Sequence, residues 1–323
     1  MKRDSSLDFI KFLLVLLVVF GHCVQYTYIK FGLNFDDSII FRYIYSFHMP
    51  LFMFISGCLF LHVNEFKFSQ KIQLLIIPFF VWGTINYLFY YSDDDFFNYI
   101  GNIIYSPDSG LWFLWVLFFI QISVYNIRKK FNDFNLVIIT CVIVSICYML
   151  SLIFKFNGFG LNLYAWQIVF FVIGLLFYKK RIYISTLDYK LLMVVSTCIY
   201  FISMFFWVRD LSDVNVFNSV LFNKIFGIAI KYISALSFIF IIILNWNRFS
   251  KLYSNSFSLF LSRQSLAFYA IQFPIIQCIL LFDISNNIYV SIFICFVITM
   301  IMSSVLIYVI NTMKIVRIPL FGR

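Results

Sequence analysis

The sequence predicts an all-α, polytopic membrane protein of about ten transmembrane helices with both termini in the cytoplasm. Three observations predict it. Of the 323 residues 63% are hydrophobic and only 12% are charged, more apolar surface than a water-soluble fold can hide. The apolar residues fall into runs of membrane-crossing length with short polar connections between them. The basic residues are confined largely to alternate connections.

Taken in order, the runs cover residues 9–29, 39–61, 72–91, 111–127, 136–154, 163–178, 189–208, 221–244, 264–282 and 288–312. A cytoplasmic N-terminus places Lys2, Arg3, Lys67, Lys71, Arg128 to Lys130, Lys179 to Arg181, Lys190, Arg248, Lys251, Arg263, Lys314, Arg317 and Arg323 inside. Lys30, Arg42, Lys155, Arg209, Lys224 and Lys231 fall outside or in outer helix ends, so the positive-inside rule favours this orientation. Asp36, Asp37, Asp93 to Asp95, Asp108, Asp210, Asp213 and Asp283 lie outside, although acids weigh little in that rule. Two outer connections, 92–110 and 209–220, exceed a tight turn; they read either as solvated connectors or as a rim that meets a polar substrate.

The spans leave no room for a separate soluble domain, so residues 1–323 read as one integral-membrane domain. The net charge of +10 is spread in short clusters between apolar runs, which argues for topology signals and against a nucleic-acid partner. The seven cysteines show no CxxC or metal-type spacing; they read as small buried hydrophobes, with no metal expected. Lys2 and Arg3 ahead of an apolar run resemble a secretory signal, but no small-x-small cleavage site follows, and the segment is kept as the first span.

The first span carries the strongest chemical signal. Asp8 and Lys11 are three residues apart, and Lys11 and His22 are eleven apart. Eleven residues make about three helical turns, so Lys11 and His22 share a face, about 16 Å apart along the axis. Ionisable groups at that depth are costly and mark a functional site by default, the alternative being a snorkelling lysine and a histidine at the outer interface.

The second span contains Phe47-His48-Met49-Pro50, which brings His48 to the level of His22. A neutral imidazole can take a proton from a hydroxyl, and a second can orient it or the substrate. Ser56-Gly57 suits close helix packing, and His62 a cap or a headgroup contact. The following loop holds Glu65, Lys67 and Lys71, where lysines suit anionic lipid or a phosphorylated molecule entering from the cytosol. Trp112, in Gly110-Leu111-Trp112-Phe113-Leu114-Trp115, belongs to an aromatic belt or stacks on a sugar face. Lys231, buried in the eighth span with Lys224 seven residues before it, wants a partner or an anionic ligand, and no acid in its span supplies one.

These motifs stand in a fixed order: Leu7-Asp8-Phe9-Ile10-Lys11 with His22, then Phe47-His48-Met49-Pro50-Leu51-Phe52-Met53-Phe54-Ile55-Ser56-Gly57. They are followed by Leu75-Ile76-Ile77-Pro78-Phe79 and Leu111-Trp112-Phe113-Leu114. Together they resemble the integral-membrane acyltransferase-3 family, and within it the bacterial glycan O-acetyltransferases of the fucose 4-O-acetylase-like group. The resemblance is dense over residues 3–120 and again near Ser262 to Pro274.

The resemblance implies a cytoplasmic acyl-CoA donor, usually acetyl-CoA, and transfer to a hydroxyl of a cell-surface or lipid-linked glycan outside the bacterial cytoplasmic membrane. It implies His22 as the catalytic histidine, with Lys11 paired to it, His48 as the second-span histidine and Asp8 in the first motif. Arg3, Lys67 and Lys71 would meet CoA; Trp112, Lys231, Tyr269 and Gln272 would meet the acceptor. Two departures matter. Lysines replace arginines in the loop after span two, losing the bidentate fork. Gln272 stands where a histidine is usual near span nine, and an amide cannot shuttle a proton at neutral pH. The rival readings are a transporter or flippase of a lipid-linked saccharide, and a family-derived scaffold without activity.

Overall fold

The computed structural model describes residues 4–90, 95–107, 111–156, 158–184, 189–249 and 256–322. Among these there are helices and no strand. The principal helices are α1 (Ser5–Lys30), α2 (Ile39–Phe60), α3 (Phe68–Lys71), α4 (Ile77–Tyr90), α5 (Phe96–Tyr105), α6 (Trp112–Lys130) and α7 (Asp133–Ile153). They continue with α8 (Leu161–Ile184), α9 (Tyr189–Met204), α10 (Val220–Leu244), α11 (Trp246–Phe249), α12 (Ser256–Arg263), α13 (Ser265–Leu280), α14 (Ile288–Thr312) and α15 (Lys314–Phe321). A π-helical turn, Ile72–Ile76, joins α3 to α4.

All ten expected spans are helical. Among the described residues seven helices are long and apolar enough to cross a bilayer: α1, α2, Phe68–Phe89, α7, Gly158–Lys180, α10 and α14. The expected spans at 111–127, 189–208 and 264–282 are α6, α9 and α13; the last two are shorter apolar helices of 16 residues. The chain is thus a multi-pass membrane protein. Its residues divide into two compact units, Met1–Phe52 with Ile182–Ile307, and Met53–Arg181 with Tyr308–Arg323.

The first unit is built around α1. Asp4 caps its N-terminus by accepting from the Ser6 amide at 3.0 Å. Gly32, at φ +68°, ends it: the Gly32 amide donates to Ile29 and the Leu33 amide to Tyr28, which satisfies two terminal carbonyls. Between the caps, α1 packs on α11, α12 and α13. The Ser6 hydroxyl donates to the Trp246 carbonyl at 2.8 Å, Phe9 stacks on Phe249, and Cys23 Sγ lies 4.0 Å from Thr299 Oγ1 on α14. Elsewhere in the unit, α9 lies along α10, and Phe47 of α2 stacks on Phe238 at 3.5 Å.

The second unit rests on a close helix contact. Gly57 of α2 faces the Phe171 carbonyl of α8, and Gly174 of α8 faces the Phe54 carbonyl of α2; a Cβ on either glycine would sit 1.9 Å from that oxygen. The close approach expected of Ser56-Gly57 is therefore present. At the other end of the unit the α15 chain is pinned by Trp82, whose indole donates to the Leu320 carbonyl at 2.9 Å. His62, expected to cap or meet headgroups, is exposed and sets its ring edge-on to Tyr178.

The connection 92–110 is more than a solvated loop. Asp95 accepts from the Asn98 amide at 2.9 Å and starts α5, an amphipathic helix that buries Ile103 and packs Phe96 and Tyr99 on Tyr87. Asp93, Asp94, Asp108 and Gly110 lie outside the described residues. The connection 209–220 contains a 3-10 turn, Leu211–Asp213, and is held by Asn223, which bonds the backbone of Val216 and Phe217. Asp210 caps that turn, and the Ser212 amide bonded to it holds its carboxyl below the usual range.

Candidate active site

His22 sits in the C-terminal half of α1, where Gly21 leaves room for α2. A Cβ on Gly21 would lie 3.2 Å from both Ile44 Cγ2 and Tyr45 Cε2. Through that gap the Tyr45 hydroxyl reaches His22 Nδ1 at 3.0 Å and Gln25 Oε1 at 2.7 Å, and His22 Nδ1 is 3.3 Å from Gln25 Oε1. Phe273 of α13 covers the imidazole, with ring centroids 4.6 Å apart. His22 nevertheless remains partly exposed.

His48 is placed differently. It is 1% exposed, and its Nδ1 donates to the Ile44 carbonyl at 2.8 Å, so Nε2 is its acceptor nitrogen when the ring is neutral. The two histidines share one neighbour: Tyr45 bonds His22 and lays its ring against His48 at 4.6 Å. The two histidines thus lie around one tyrosine, with the partly exposed one on α1.

Asp8 and Lys11 occupy the far end of α1. Asp8 is fourteen residues from His22, about 21 Å of helical rise, and its buried carboxylate accepts from the Ser262 hydroxyl at 2.8 Å. This bond ties α1 to α12. Replacing Ser262 by alanine is expected to lower the stability of the folded protein by about 1–3 kcal/mol, the worth of a hydrogen bond to a buried charged group. A detergent-phase thermal melt measures it; a melt identical to wild type would contradict the tether. Lys11 is partly buried on the same helix.

Tyr269 and Gln272 are buried on α13, beside Phe273. Tyr269 packs edge-on to that ring at 6.1 Å, and Gln272 spends its amide nitrogen on the Tyr269 carbonyl at 3.2 Å. The Gln272 oxygen is buried with no hydrogen-bond partner among the described residues. Lys231 finds its partner outside its own span: it donates to the Arg209 carbonyl at 2.6 Å. Arg209 in turn pairs with Asp36 at 3.1 Å and lies over the Phe35 ring. Of the two expectations for Lys231, a partner or an anionic ligand, the structure supplies the partner, a loop backbone carbonyl.

Lys67, Lys71 and Trp112 belong to the second unit. Lys67 is exposed at the N-terminus of α3 and Lys71 is partly buried one turn on, its amide donating to the Lys67 carbonyl at 3.1 Å; among the described residues neither side chain makes a hydrogen bond or ion pair. The π-helical turn that follows Lys71 is an element found often at functional sites. Trp112 opens α6, partly exposed. Arg3 lies outside the described residues.

Three residues next to His22 escaped the sequence reading: Gln25, Tyr45 and Phe273. A signal existed for two of them. Gln25 is three residues after His22, and Tyr45 three before His48, the spacing at which helical side chains meet.

Against known families, residues 4–309 match the family described as an acyltransferase domain. The chain belongs to this acyltransferase family. Among curated proteins, this membrane acyltransferase is similar to Nodulation protein NolL of Sinorhizobium fredii (strain NBRC 101917 / NGR234), 32% identical over 147 residues, which are 42% of this chain and 38% of the relative. It is also similar to Nodulation protein NolL of Mesorhizobium japonicum (strain LMG 29417 / CECT 9101 / MAFF 303099), 28% identical over 155 residues, 45% of this chain and 41% of the relative. The acyltransferase thus matches about two fifths of the length of each of these relatives. No solved structure matches it.

Proposed function

We propose that this acyltransferase moves an acetyl group from cytoplasmic acetyl-CoA to a hydroxyl of a cell-surface or lipid-linked glycan on the outer side of the bacterial cytoplasmic membrane. Both termini face the cytosol in this reading. The observation that carries it is the partly exposed His22 imidazole, held on the first span by Tyr45 and Gln25 in a chain of the acyltransferase family.

The chemistry asks for one base and a path for charge. His22 takes the proton of the acceptor hydroxyl as its oxygen attacks the thioester carbonyl; the C–S bond breaks, and the thiolate leaves with a proton. His48, fixed by the Ile44 carbonyl, shapes the site beside Tyr45. Lys11 balances charge deeper in the membrane, towards the donor. Lys67 and Lys71, with no charge partner among the described residues, suit the phosphates of CoA as point charges. Membrane lipid headgroups are the other anions these lysines would meet. Trp112 offers an aromatic face to a sugar ring.

Mass spectrometry of surface saccharide from cells with and without this chain tests the reading. Acetyl esters that depend on the chain are expected. A saccharide that crosses the membrane unmodified only when the chain is present would favour transport instead.

A further inference from the structure

We infer that Tyr45 is a positioning residue that, with Gln25, holds His22 in the tautomer with hydrogen on Nδ1 and leaves Nε2 bare for the acceptor proton. The inference rests on the reading of His22 as the base.

Hydrogen-bond capacity fixes the arrangement. The Gln25 amide oxygen only accepts, so the Tyr45 hydroxyl, 2.7 Å away, donates to it. That bond uses the one proton Tyr45 has. At His22 Nδ1 the nitrogen then faces two oxygens that offer lone pairs, Tyr45 Oη at 3.0 Å and Gln25 Oε1 at 3.3 Å. The pairing that satisfies all three groups puts a hydrogen on Nδ1. A neutral imidazole carries one hydrogen, so Nε2 has the free lone pair. The opposite tautomer would set lone pair against lone pair inside a low-dielectric cluster, where an unmet polar contact costs most.

The surroundings hold Tyr45 at this task. Its ring stacks on the buried Phe41 at 3.8 Å and 29°, and abuts His48 at 4.6 Å. The absent Cβ of Gly21 lets the ring lie against α1. A tyrosine so fixed has its hydroxyl aimed before substrate arrives, and the base needs no reorganisation.

The test exploits a chain with three histidines: His22, His48 and His62. Selective 15N-histidine labelling gives three imidazole spectra, and His22→Gln assigns one of them. A protonated Nδ1 and a bare Nε2 at His22 are expected in the wild-type chain; a bare Nδ1 there overturns the inference. Tyr45→Phe keeps the ring stack and removes the hydroxyl. It is expected to mix the two tautomers and lower kcat about 10- to 100-fold, with KM for the donor within about 2-fold; where a carboxylate sets a catalytic histidine's tautomer the loss is larger. In the Tyr45→Phe background, Gln25→Glu supplies a carboxylate acceptor for Nδ1–H and is expected to restore the tautomer and part of the turnover. Unchanged turnover and tautomer in Tyr45→Phe would overturn the role of Tyr45. Transfer that survives His22→Ala would instead overturn the base reading, while the spectrum still reports the tautomer.

Discussion

Replacing His22 by alanine is expected to lower acetyl transfer by about 10²- to 10⁴-fold, the range a positioned general base supplies. This corresponds to about 3–5 kcal/mol of transition-state stabilisation. The loss should fall on kcat, as expected for removal of a group proposed to act on the acceptor proton. Folding should survive, since His22 is partly exposed and its polar contacts are with Gln25 and Tyr45, which still pair with each other at 2.7 Å. His22→Asn, which keeps a polar group but no base, should be as inactive. Steady-state transfer in membranes, normalised to protein by quantitative blot, checks both variants; wild-type kcat in either contradicts the assignment.

The second large effect is on the fold. Gly57→Ala places a methyl 1.9 Å from the Phe171 carbonyl oxygen, and Gly174→Ala places one 1.9 Å from the Phe54 carbonyl oxygen. Both obstacles are helix backbone, so no side chain can swing away and the two helices must part. Overpacking against movable side chains costs about 1–3 kcal/mol, and a backbone clash exceeds that. Either variant is expected to lose most of its folded yield, read as the monodisperse fraction in size-exclusion chromatography after mild extraction. A normal yield from Gly57→Ala would contradict the α2–α8 contact. The two lesions are separable: the glycine variants lose protein, and the His22 variants lose turnover with protein retained.

Much of this architecture was legible in the sequence because membrane-length apolar runs are its strongest signal. Each expected span is a helix, and the differences lie at the ends, where capping rather than hydropathy sets the boundary. Asp4 starts α1 four residues before the expected run, and Gly32 stops it. Helix α5 escaped notice because it is short and amphipathic, hidden among acidic residues that served as its cap. The partner of Lys231 was invisible for another reason: it is a backbone carbonyl 22 positions away, which carries no side-chain signature.

At the site itself, His22 and His48 stood out as rare ionisable groups among apolar residues. Tyr45 did not, because it is one of 21 tyrosines and nothing in its own identity marks it. Only the three-residue spacing to His48, joined with the small residue at Gly21, pointed to the place where α1 and α2 meet.

One measurement bears most directly on His22. The purified chain is placed in proteoliposomes with acetyl-CoA labelled in its acetyl group and a saccharide acceptor, and label on the saccharide is counted over time. Ester-linked label that rises with the wild-type chain and collapses with His22→Ala is the expected result. Equal labelling by both chains would contradict a reaction carried out at this imidazole.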